Sequence, residues 1–212
     1  NKEEAIKYYK MAIDEGNSNA MYIYASMLSN GDGVDVNKEE AIKYYKMAIN
    51  KGNSDAMYNL AIMLNDGDGV EVNKEEAIKY FKMAIDKGDK NSMCRYAYML
   101  SYGDGAEVNK EEAIMYYRMA IDKGDVFAMY NYALMLDYGD GVEVNKEEAI
   151  KYYKMAIEKG DSDAMFRYGT ILYNGDGVEV NVEEAINYFY MAAENGNYDA
   201  YNTLQLLNND NE

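Results

Sequence analysis

The sequence predicts an all-α protein, an α-solenoid in which antiparallel helix pairs stack into a right-handed superhelix of about twelve helices. Internal repetition is the first observation behind this prediction, because the same Asn-initiated phrase recurs every 36 residues, at positions 1, 37, 73, 109, 145 and 181 of the 212-residue chain. The second is that each unit holds two segments with helical spacing of apolar residues, one on either side of a glycine-rich turn. We call the helix before the turn first-type and the helix after it second-type.

The second-type helix carries start and stop signals, as one unit shows. Asn73 is a favourable N-cap, and Glu76 stands at the capping-box spacing three residues later. Glu75 and Lys79 form an i,i+4 pair in the favourable orientation. Gly88 follows as the residue after the last turn, where a left-handed backbone costs least without a side chain. These signals predict a helix over 73–87.

The first-type helix of the same unit is predicted over about Ser54 to Asp66, because its apolar residues recur at helical spacing. Its predicted core stripe is Ala56, Met57, Leu60, Ala61, Met63 and Leu64, and the matching stripe of the second-type helix is Ala77, Phe81, Ala84 and Ile85. One such pair is too small to bury these faces, so neighbouring pairs must share a continuous core.

The domain organisation follows from the repeat. No Pro and no Ser/Gly-rich linker interrupts the chain, so we expect a single array over 1–212. Its parts are an orphan second-type helix at 1–16, helix pairs at 17–52, 53–88, 89–124, 125–160 and 161–196, and a capping helix at 197–212. Gln205 and Asn208 replace core residues there, which with the polar tail to Glu212 indicates a solvated cap and a natural C-terminus. The uncovered apolar face at 1–16 indicates a truncated N-terminus or a covering partner.

The repeat resembles the Sel-one-like repeat (SLR) family, a relative of the tetratricopeptide repeat. The residues that carry the resemblance are Ala56, Leu60, Ala61, Leu64, Gly67, Gly69, Val70, Asn73, Ala77, Tyr80, Phe81, Ala84 and Gly88. It covers essentially the whole chain. One departure is that Ala25, Ala61, Ala97 and Ala133 occupy a position where the family usually has Gly, which only Gly169 keeps. The resemblance implies an adaptor that holds protein partners on its concave side, in settings such as endoplasmic-reticulum quality control, cell-wall synthase activation or bacterial host-cell contact.

Composition excludes several function classes. The chain has no His and a single Cys, which removes His-based acid–base chemistry, a His-rich zinc site and an internal disulfide framework. A net charge of −17 argues against nucleic-acid binding, because phosphate neutralisation takes clustered Lys and Arg. No apolar run approaches the roughly 20 residues that cross a bilayer. The lone Cys and the absence of an N-x-Ser/Thr sequon favour the cytoplasm.

Three features could suggest chemistry, but each has a simpler structural explanation. The paired glutamates, such as Glu39 and Glu40, recur at every second-type helix start, which favours capping and helix-dipole roles over catalysis. Cys94 has no His to activate it. The acidic glycine-rich turns resemble calcium loops, but their first ligand position would be a buried Leu such as Leu64. We therefore expect no catalytic residue, no cofactor and no metal site.

Alignment of the six units within the chain exposes variable positions on the first-type helix, whereas the second-type helix is nearly constant. The four variable rows are Tyr22, Tyr58, Cys94, Tyr130 and Phe166; Ser26, Ile62, Tyr98, Leu134 and Thr170; Ser29, Asn65, Ser101, Asp137 and Tyr173; and Asn30, Asp66, Tyr102, Tyr138 and Asn174. Their spacing places them on one face opposite the core stripe, which lines the concave groove in tetratricopeptide-like stacks. Drift on an exposed face should favour short polar residues, whereas these rows are rich in Tyr, Phe, Ile and Leu, so we expect recognition.

The predicted function is a protein-interaction scaffold or adaptor whose concave groove binds a peptide or protein segment with basic and apolar residues. Its predicted contact residues are Tyr22, Tyr58, Cys94, Tyr130, Phe166, Ile62, Tyr98, Leu134, Tyr102, Tyr138 and Tyr173. Tyr rings are common interface anchors and attract Lys and Arg, and the surrounding acids would steer a basic segment inward.

The sequence also allows two other functions. One is a structural array that self-assembles, with chains stacked through the N-terminal helix, whereas the scaffold could be a monomer. The other is an enzyme, which is remote. Secreted family members linked to β-lactam binding carry paired cysteines in each repeat, and this chain does not.

Overall fold

The computed structural model describes residues 2–209, in which all regular secondary structure is α-helical and amounts to twelve helices. The chain divides into two compact units, Asn1–Asn109 and Lys110–Glu212. The first contains α1 (Lys2–Asp14), α2 (Ser18–Asn30), α3 (Lys38–Asn50), α4 (Ser54–Asp66), α5 (Lys74–Asp86) and α6 (Lys90–Tyr102). The second contains α7 (Lys110–Asp122), α8 (Val126–Tyr138), α9 (Lys146–Ile157), α10 (Ser162–Asn174), α11 (Val182–Glu194) and α12 (Tyr198–Asn209). The all-α prediction is confirmed, and the assignment of 1–212 to one array stays a prediction.

The predicted helix caps are confirmed in α5. The Oδ1 atom of Asn73 accepts the backbone N–H of Glu76 at 3.0 Å, and its Nδ2 donates to the Glu76 carboxylate at 3.2 Å. The side-chain amide thus takes the place that the backbone N–H has in the usual capping box. The Nζ atom of Lys79 lies 2.9 Å from Oε1 of Glu75, which confirms the predicted i,i+4 ion pair. Local sequence therefore determines where this helix starts.

The glycine-rich turn after α4 needs two glycines for different reasons. Gly67, with φ of 75°, ends the helix, and its N–H donates to the carbonyl of Met63 at 2.9 Å. Gly69 has φ of 76°, and a Cβ atom there would lie 2.2 Å from the Cβ of Lys38. A side chain at Gly69 is therefore disfavoured by backbone conformation and by lack of space.

The core lies between the helices within each unit. Each of α2, α4, α8 and α10 packs most closely against the second-type helix that follows it, and second-type helices pack in turn against the next first-type helix. All six apolar residues predicted for the core stripe of α4 are buried. Ala77, Phe81 and Ala84 of α5 are buried too, whereas Ile85 is only half-buried. Full burial of a large apolar side chain contributes roughly 1.5–3 kcal/mol, so this shared seam is the main source of stability.

Ion pairs connect consecutive repeats in both units. The first lysine of a second-type helix pairs with the Asp of the turn thirty residues later, as Lys38 does with Asp68 at 2.5 Å. The same pair recurs as Lys2–Asp32 and Lys74–Asp104 in the first unit and as Lys110–Asp140 and Lys146–Asp176 in the second. Since the lysine stem also packs on the second turn glycine, this contact positions each turn.

Cation–ring contacts also connect consecutive repeats, from a second-type helix to the first-type helix that follows it. The Nζ atom of Lys82 lies 5.0 Å from the ring centroid of Tyr96, and that of Lys154 lies 4.9 Å from the ring centroid of Tyr168. Four tyrosines occupy this position of the first-type helices and are buried: Tyr24, Tyr96, Tyr132 and Tyr168. Basic side chains on second-type helices therefore cover core rings of the next repeat.

The two end helices differ from the others in exposure. On α1 the exposed fractions of Tyr8 and Met11 are 62% and 60%, and Ile13 is its buried residue. In the predicted cap, Gln205 and Asn208 of α12 are exposed. Residues 210–212 of that cap lie outside the described residues.

Candidate functional site

The first predicted row lies half-buried against the core. Each aromatic residue of this row packs on a buried ring of the second-type helix that follows. The ring centroids are 6.3 Å apart for Tyr22–Tyr45, 6.1 Å for Tyr58–Phe81, 6.0 Å for Tyr130–Tyr153 and 5.6 Å for Phe166–Phe189. Cys94, in the same row, is also half-buried. These side chains therefore offer an edge to solvent while their rings support the fold.

The other predicted residues differ widely in exposure. Ile62 and Leu134 are half-buried, and Tyr98 is 38% exposed. Tyr102 and Tyr138, at the C-terminal ends of α6 and α8, are 57% and 62% exposed. These two tyrosines are thus the most accessible of the predicted contact residues.

The predicted exposure of the third row is wrong for most of its members. The sequence placed it on the exposed face, but four of its members are buried: Ser29, Asn65, Ser101 and Asp137. Each stands four residues after the fully buried alanine of its helix, so it falls at the edge of the core stripe. Tyr173, the fifth member, is too large for this position. It remains 38% exposed, with its ring centroid 6.3 Å from that of Phe189.

Asp137 is the centre of a buried polar cluster in the second unit. Its carboxylate accepts from Lys146 Nζ at 2.7 Å through Oδ1, and its Oδ2 accepts from the Tyr153 hydroxyl at 3.1 Å. Arg167 donates to Oδ2 from Nε at 2.9 Å and from Nη2 at 2.6 Å. Lys146 is shared with Asp176 at 2.6 Å. The carboxylate is buried, with 0% of its side chain exposed, yet it has partners on both oxygens.

The cluster shifts the pKa values of its members. Burial alone would raise the pKa of Asp137, but hydrogen bonds and charge from Lys146 and Arg167 outweigh burial and hold it below its usual value. Burial and the nearby Asp137 carboxylate raise the pKa of the Tyr153 hydroxyl. Asp137 is therefore an anion at neutral pH, and Tyr153 keeps its proton and donates it.

Arg167 connects this buried cluster to the surface. Its guanidinium carbon lies 4.7 Å from the centroid of the exposed Tyr138 ring, a cation–π distance. Its charge also lowers the pKa of Tyr130, although burial first and then Asp163 and Asp161 raise that pKa to about 12. The neighbourhood of Tyr130 and Tyr138 thus combines two rings, one compensated arginine and two further carboxylates.

One face of α8 carries an apolar stripe, which we define as Phe127, Tyr130, Leu134 and Tyr138. Spacings of three and four residues place its members on one helix face. Phe127 is 68% exposed and Tyr138 62% exposed, while Tyr130 and Leu134 are half-buried. The opposite face of α8 is the buried core stripe. This helix is therefore apolar on both faces.

Sequence reasoning missed three residues here. Phe127 stands where other repeats have Asn19, Asp55, Asn91 and Asp163, so the internal alignment held the signal. Asp137 was placed in a row on the exposed face, and Arg167 was passed over. Their separation of thirty residues, the same as that of Lys38 and Asp68, was the available clue.

The first unit contains a related but looser arrangement. Arg95 Nη2 is 3.6 Å from Asp66 Oδ1, and its guanidinium carbon is 5.6 Å from the Tyr98 ring centroid. The rings of Tyr98 and Tyr102 are 4.6 Å apart. Within the described part of the chain, Arg95 Nε and the buried Asn65 Oδ1 have no hydrogen-bond partner. The arginine here is less completely compensated than Arg167.

The features considered for catalysis and metal binding have structural roles. The turn aspartates that resemble a calcium loop form ion pairs with lysines. Glutamates at helix starts complete capping boxes where they bond to the capping Asn, as Glu40 does with Asn37. Over residues 2–209, no three His, Cys, Asp or Glu side chains lie together as metal ligands. None of the helices over that range combines the length and apolarity of a membrane span.

A family comparison decides the classification. The family model for the Sel1 repeat matches residues 1–17, 18–53, 54–89, 90–125, 126–161 and 162–197. The chain belongs to the Sel1 repeat family. The matched repeats begin one residue after the predicted helix pairs.

Solved structures of Sel1 repeat proteins agree with this assignment. A Sel1 repeat protein from Oxalobacter formigenes is 32% identical with a TM-score of 0.83, over 87% of this chain and 76% of that one. A protective antigen from uropathogenic Escherichia coli strains, described as displaying an SLR fold, is 28% identical with a TM-score of 0.81 over 92% of this chain. This chain spans only 42% of that antigen. A Klebsiella pneumoniae Sel1 repeat protein, 19% identical with a TM-score of 0.61 over 96% of this chain and 99% of that one, shares the fold.

Among curated proteins, none matches the chain significantly. The chain has the Sel1-repeat solenoid fold, which commonly serves as a protein-interaction module and is typically not an enzyme.

Proposed function

We propose that this Sel1 repeat chain is a protein-interaction module that binds, along the α8 stripe, a peptide or protein segment with an apolar anchor and basic residues. The observation that carries the proposal is the double apolar character of α8. One face fills the core, and the other exposes Phe127 and Tyr138. Clustered exposed apolar side chains usually mark an interaction surface.

The basic character that we propose for the partner follows from the contacts of the lysines and arginines and from the net charge of the chain. Lysines at the starts of second-type helices pair with turn aspartates, and Lys82, Arg118 and Lys154 lie over tyrosine rings. The net charge is −17, and Asp163 is exposed and close enough to raise the pKa of Tyr130. A basic segment would therefore be steered toward the α8 stripe over distances of about 8 Å at physiological salt.

The contact between Arg167 and Tyr138 supports a particular role for this ring in binding. Arg167 already covers part of this ring, so the partner gains less from placing its own cation there than from packing an apolar side chain against the ring. Tyr residues that anchor interfaces contribute roughly 2 kcal/mol or more each. We assign the apolar anchor to Phe127, Leu134 and Tyr138, and the basic residues to the side of Asp163.

The test is selection of binders from a random peptide library on the full chain, followed by calorimetric titration of the best peptide. Tyr138→Ala and Phe127→Ala should each weaken binding about tenfold or more. Tyr198→Ala is the matched control, because Tyr198 is 73% exposed in the same unit but lies on α12, outside the stripe. Equal losses for all three variants, or no loss for the first two, would overturn the site.

Light scattering at the titration concentrations tests the alternative of self-assembly. A mass that stays at one chain is expected. A mass that rises with concentration and is lowered by Phe127→Ala would show that a second copy occupies the stripe, which contradicts the proposal.

A further inference from the structure

We propose that Asp137 is a specificity-determining residue of the α8 stripe: by compensating Arg167, it makes the stripe accept basic segments and reject acidic ones. The inference rests on the proposed function and adds the residue that sets the charge class of the partner. Nothing in the repeat pattern requires an acid at this position, because the equivalents of Asp137 are Ser29, Asn65, Ser101 and Tyr173.

Arg167 is the reason that a compensating charge is needed. It lies at the stripe, with its guanidinium carbon 4.7 Å from the Tyr138 ring centroid and 21% of its side chain exposed. An arginine beside an exposed ring is a favourable receptor for a carboxylate, because its planar fork donates two parallel hydrogen bonds. Without compensation, Arg167 would attract acidic segments and repel Lys and Arg.

Asp137 counters both the attraction of Arg167 for acidic segments and its repulsion of basic ones, because it binds the guanidinium directly. Its Oδ2 occupies the Nε and Nη2 donors of Arg167, the edge that a partner's carboxylate would use. Because the carboxylate is buried, its field is screened little by salt. The second base, Lys146, is shared between Asp137 and Asp176. Two bases thus face two acids, and the cluster presents no net charge to the stripe.

The chain contains a natural comparison in its first unit. Asn65 stands thirty residues before Arg95, the same separation as Asp137 and Arg167. Asn65 makes no hydrogen bond to Arg95 through Oδ1, and Arg95 keeps a contact with Asp66 at 3.6 Å. A buried Asn at this position, thirty residues before an arginine, is therefore compatible with the fold, which makes Asp137→Asn a tolerable substitution.

The experiment compares two peptides with the same apolar anchor, one flanked by Lys and the other by Glu, titrated into the full chain. The wild type should prefer the Lys peptide. In Asp137→Asn the ratio of the two affinities should shift toward the Glu peptide by at least about tenfold, equivalent to about 1.4 kcal/mol. Circular dichroism on the same samples verifies that the variant is folded.

Three further variants separate the effect of Asp137 on peptide preference from the effect of net charge. Asp176→Asn removes an acid from the same Lys146, but Asp176 has 44% of its side chain exposed, so the ratio should change less than about twofold because water screens this charge. In the double variant Asp137→Asn/Arg167→Gln the preference for the Lys peptide should return. If Asp137→Asn fails to fold, Arg167→Gln alone should increase the preference for the Lys peptide.

The titrations distinguish failure of this inference from failure of the proposed function. A wild type that binds neither peptide overturns the proposed function and this inference with it. A wild type that binds, with a ratio unchanged in Asp137→Asn or equally changed in Asp176→Asn, overturns this inference alone. Failure of the double variant to restore the preference would also contradict it.

Discussion

The Oδ2 atom of Asp137 accepts hydrogen bonds from both Nε and Nη2 of Arg167, at 2.9 and 2.6 Å. The pair joins α8 to α10 in consecutive repeats of the second unit. Because Arg167 also contacts the Tyr138 ring, a buried interaction between repeats extends to the exposed α8 stripe. The stability of the fold and the recognition that we propose for the stripe therefore depend on the same pair of residues.

The pair predicts a pH dependence of stability. The pKa of Asp137 is lowered in the native state, so the native state binds fewer protons there than the unfolded chain. The stabilisation is fully present above the unfolded pKa of about 4 and is lost as the pH falls through the lowered native pKa. Asp137→Asn should therefore cost about 2 kcal/mol at pH 7, less than the ~3–5 kcal/mol of fully buried pairs because Arg167 and Lys146 remain partly exposed.

Urea unfolding followed by circular dichroism between pH 7 and pH 3 measures this effect. The difference in unfolding free energy between wild type and Asp137→Asn should shrink below about pH 4. The pKa of Asp161 is raised by burial and has the opposite effect, but both proteins contain Asp161, so it cancels in the difference. A difference that stays constant down to pH 3 would show that Asp137 acts only through packing.

The turn glycines provide a second prediction, with a matched control in the same unit. Gly69 and Gly52 have φ values of 76° and 83°, but a Cβ atom at Gly69 would lie 2.2 Å from Lys38 Cβ, whereas nothing lies within 4 Å of one at Gly52. Gly52→Ala should cost only the left-handed backbone penalty of about 1–2 kcal/mol. Gly69→Ala should cost about 1–3 kcal/mol more, because Lys38 must move away from Asp68.

Thermal and urea unfolding of the two variants tests this difference directly. Equal losses would mean that Lys38 rearranges without cost, and that the contact between its stem and the turn does not hold neighbouring repeats together.

Much of the fold was predictable because the repeat's signals are local. Asn73, Glu76 and Gly67 act within one turn of their own helix, so the predicted bounds of α4 and α5 agree with the structure. The burial of Ser29 and Asp137 was not predictable, because their shared position in the repeat lies at the boundary between two helix faces. There a small or paired side chain is buried, whereas the larger Tyr173 stays exposed.

The candidate site was less predictable because its chemistry depends on pairs thirty residues apart. Tyr138 was identified from its row, but its arginine and the buried aspartate behind that arginine were not. Only the recurrence of a thirty-residue separation, as in Lys38–Asp68, indicates such contacts between repeats. The sequence therefore predicted a basic partner from net charge, but not the part that we propose for Asp137 and Arg167 in selecting it.

The cation–ring contacts give a final prediction in which the chain again supplies its own control. Lys82 lies 5.0 Å from the Tyr96 ring centroid, whereas Lys46 stands at the same point of its repeat but has Leu60 where Tyr96 would be. A cation–ring contact at an exposed site contributes about 0.5–1 kcal/mol, and Lys82 is exposed although the Tyr96 ring beneath it is buried. Lys82→Met should therefore destabilise the chain by about that amount, and Lys46→Met should change stability by less. Since both changes remove one positive charge from the same unit, the difference in urea midpoints isolates the ring contact. If the two midpoints shift equally, the rings and cations contribute nothing specific to the stacking of repeats, and the loss reflects only the more negative chain.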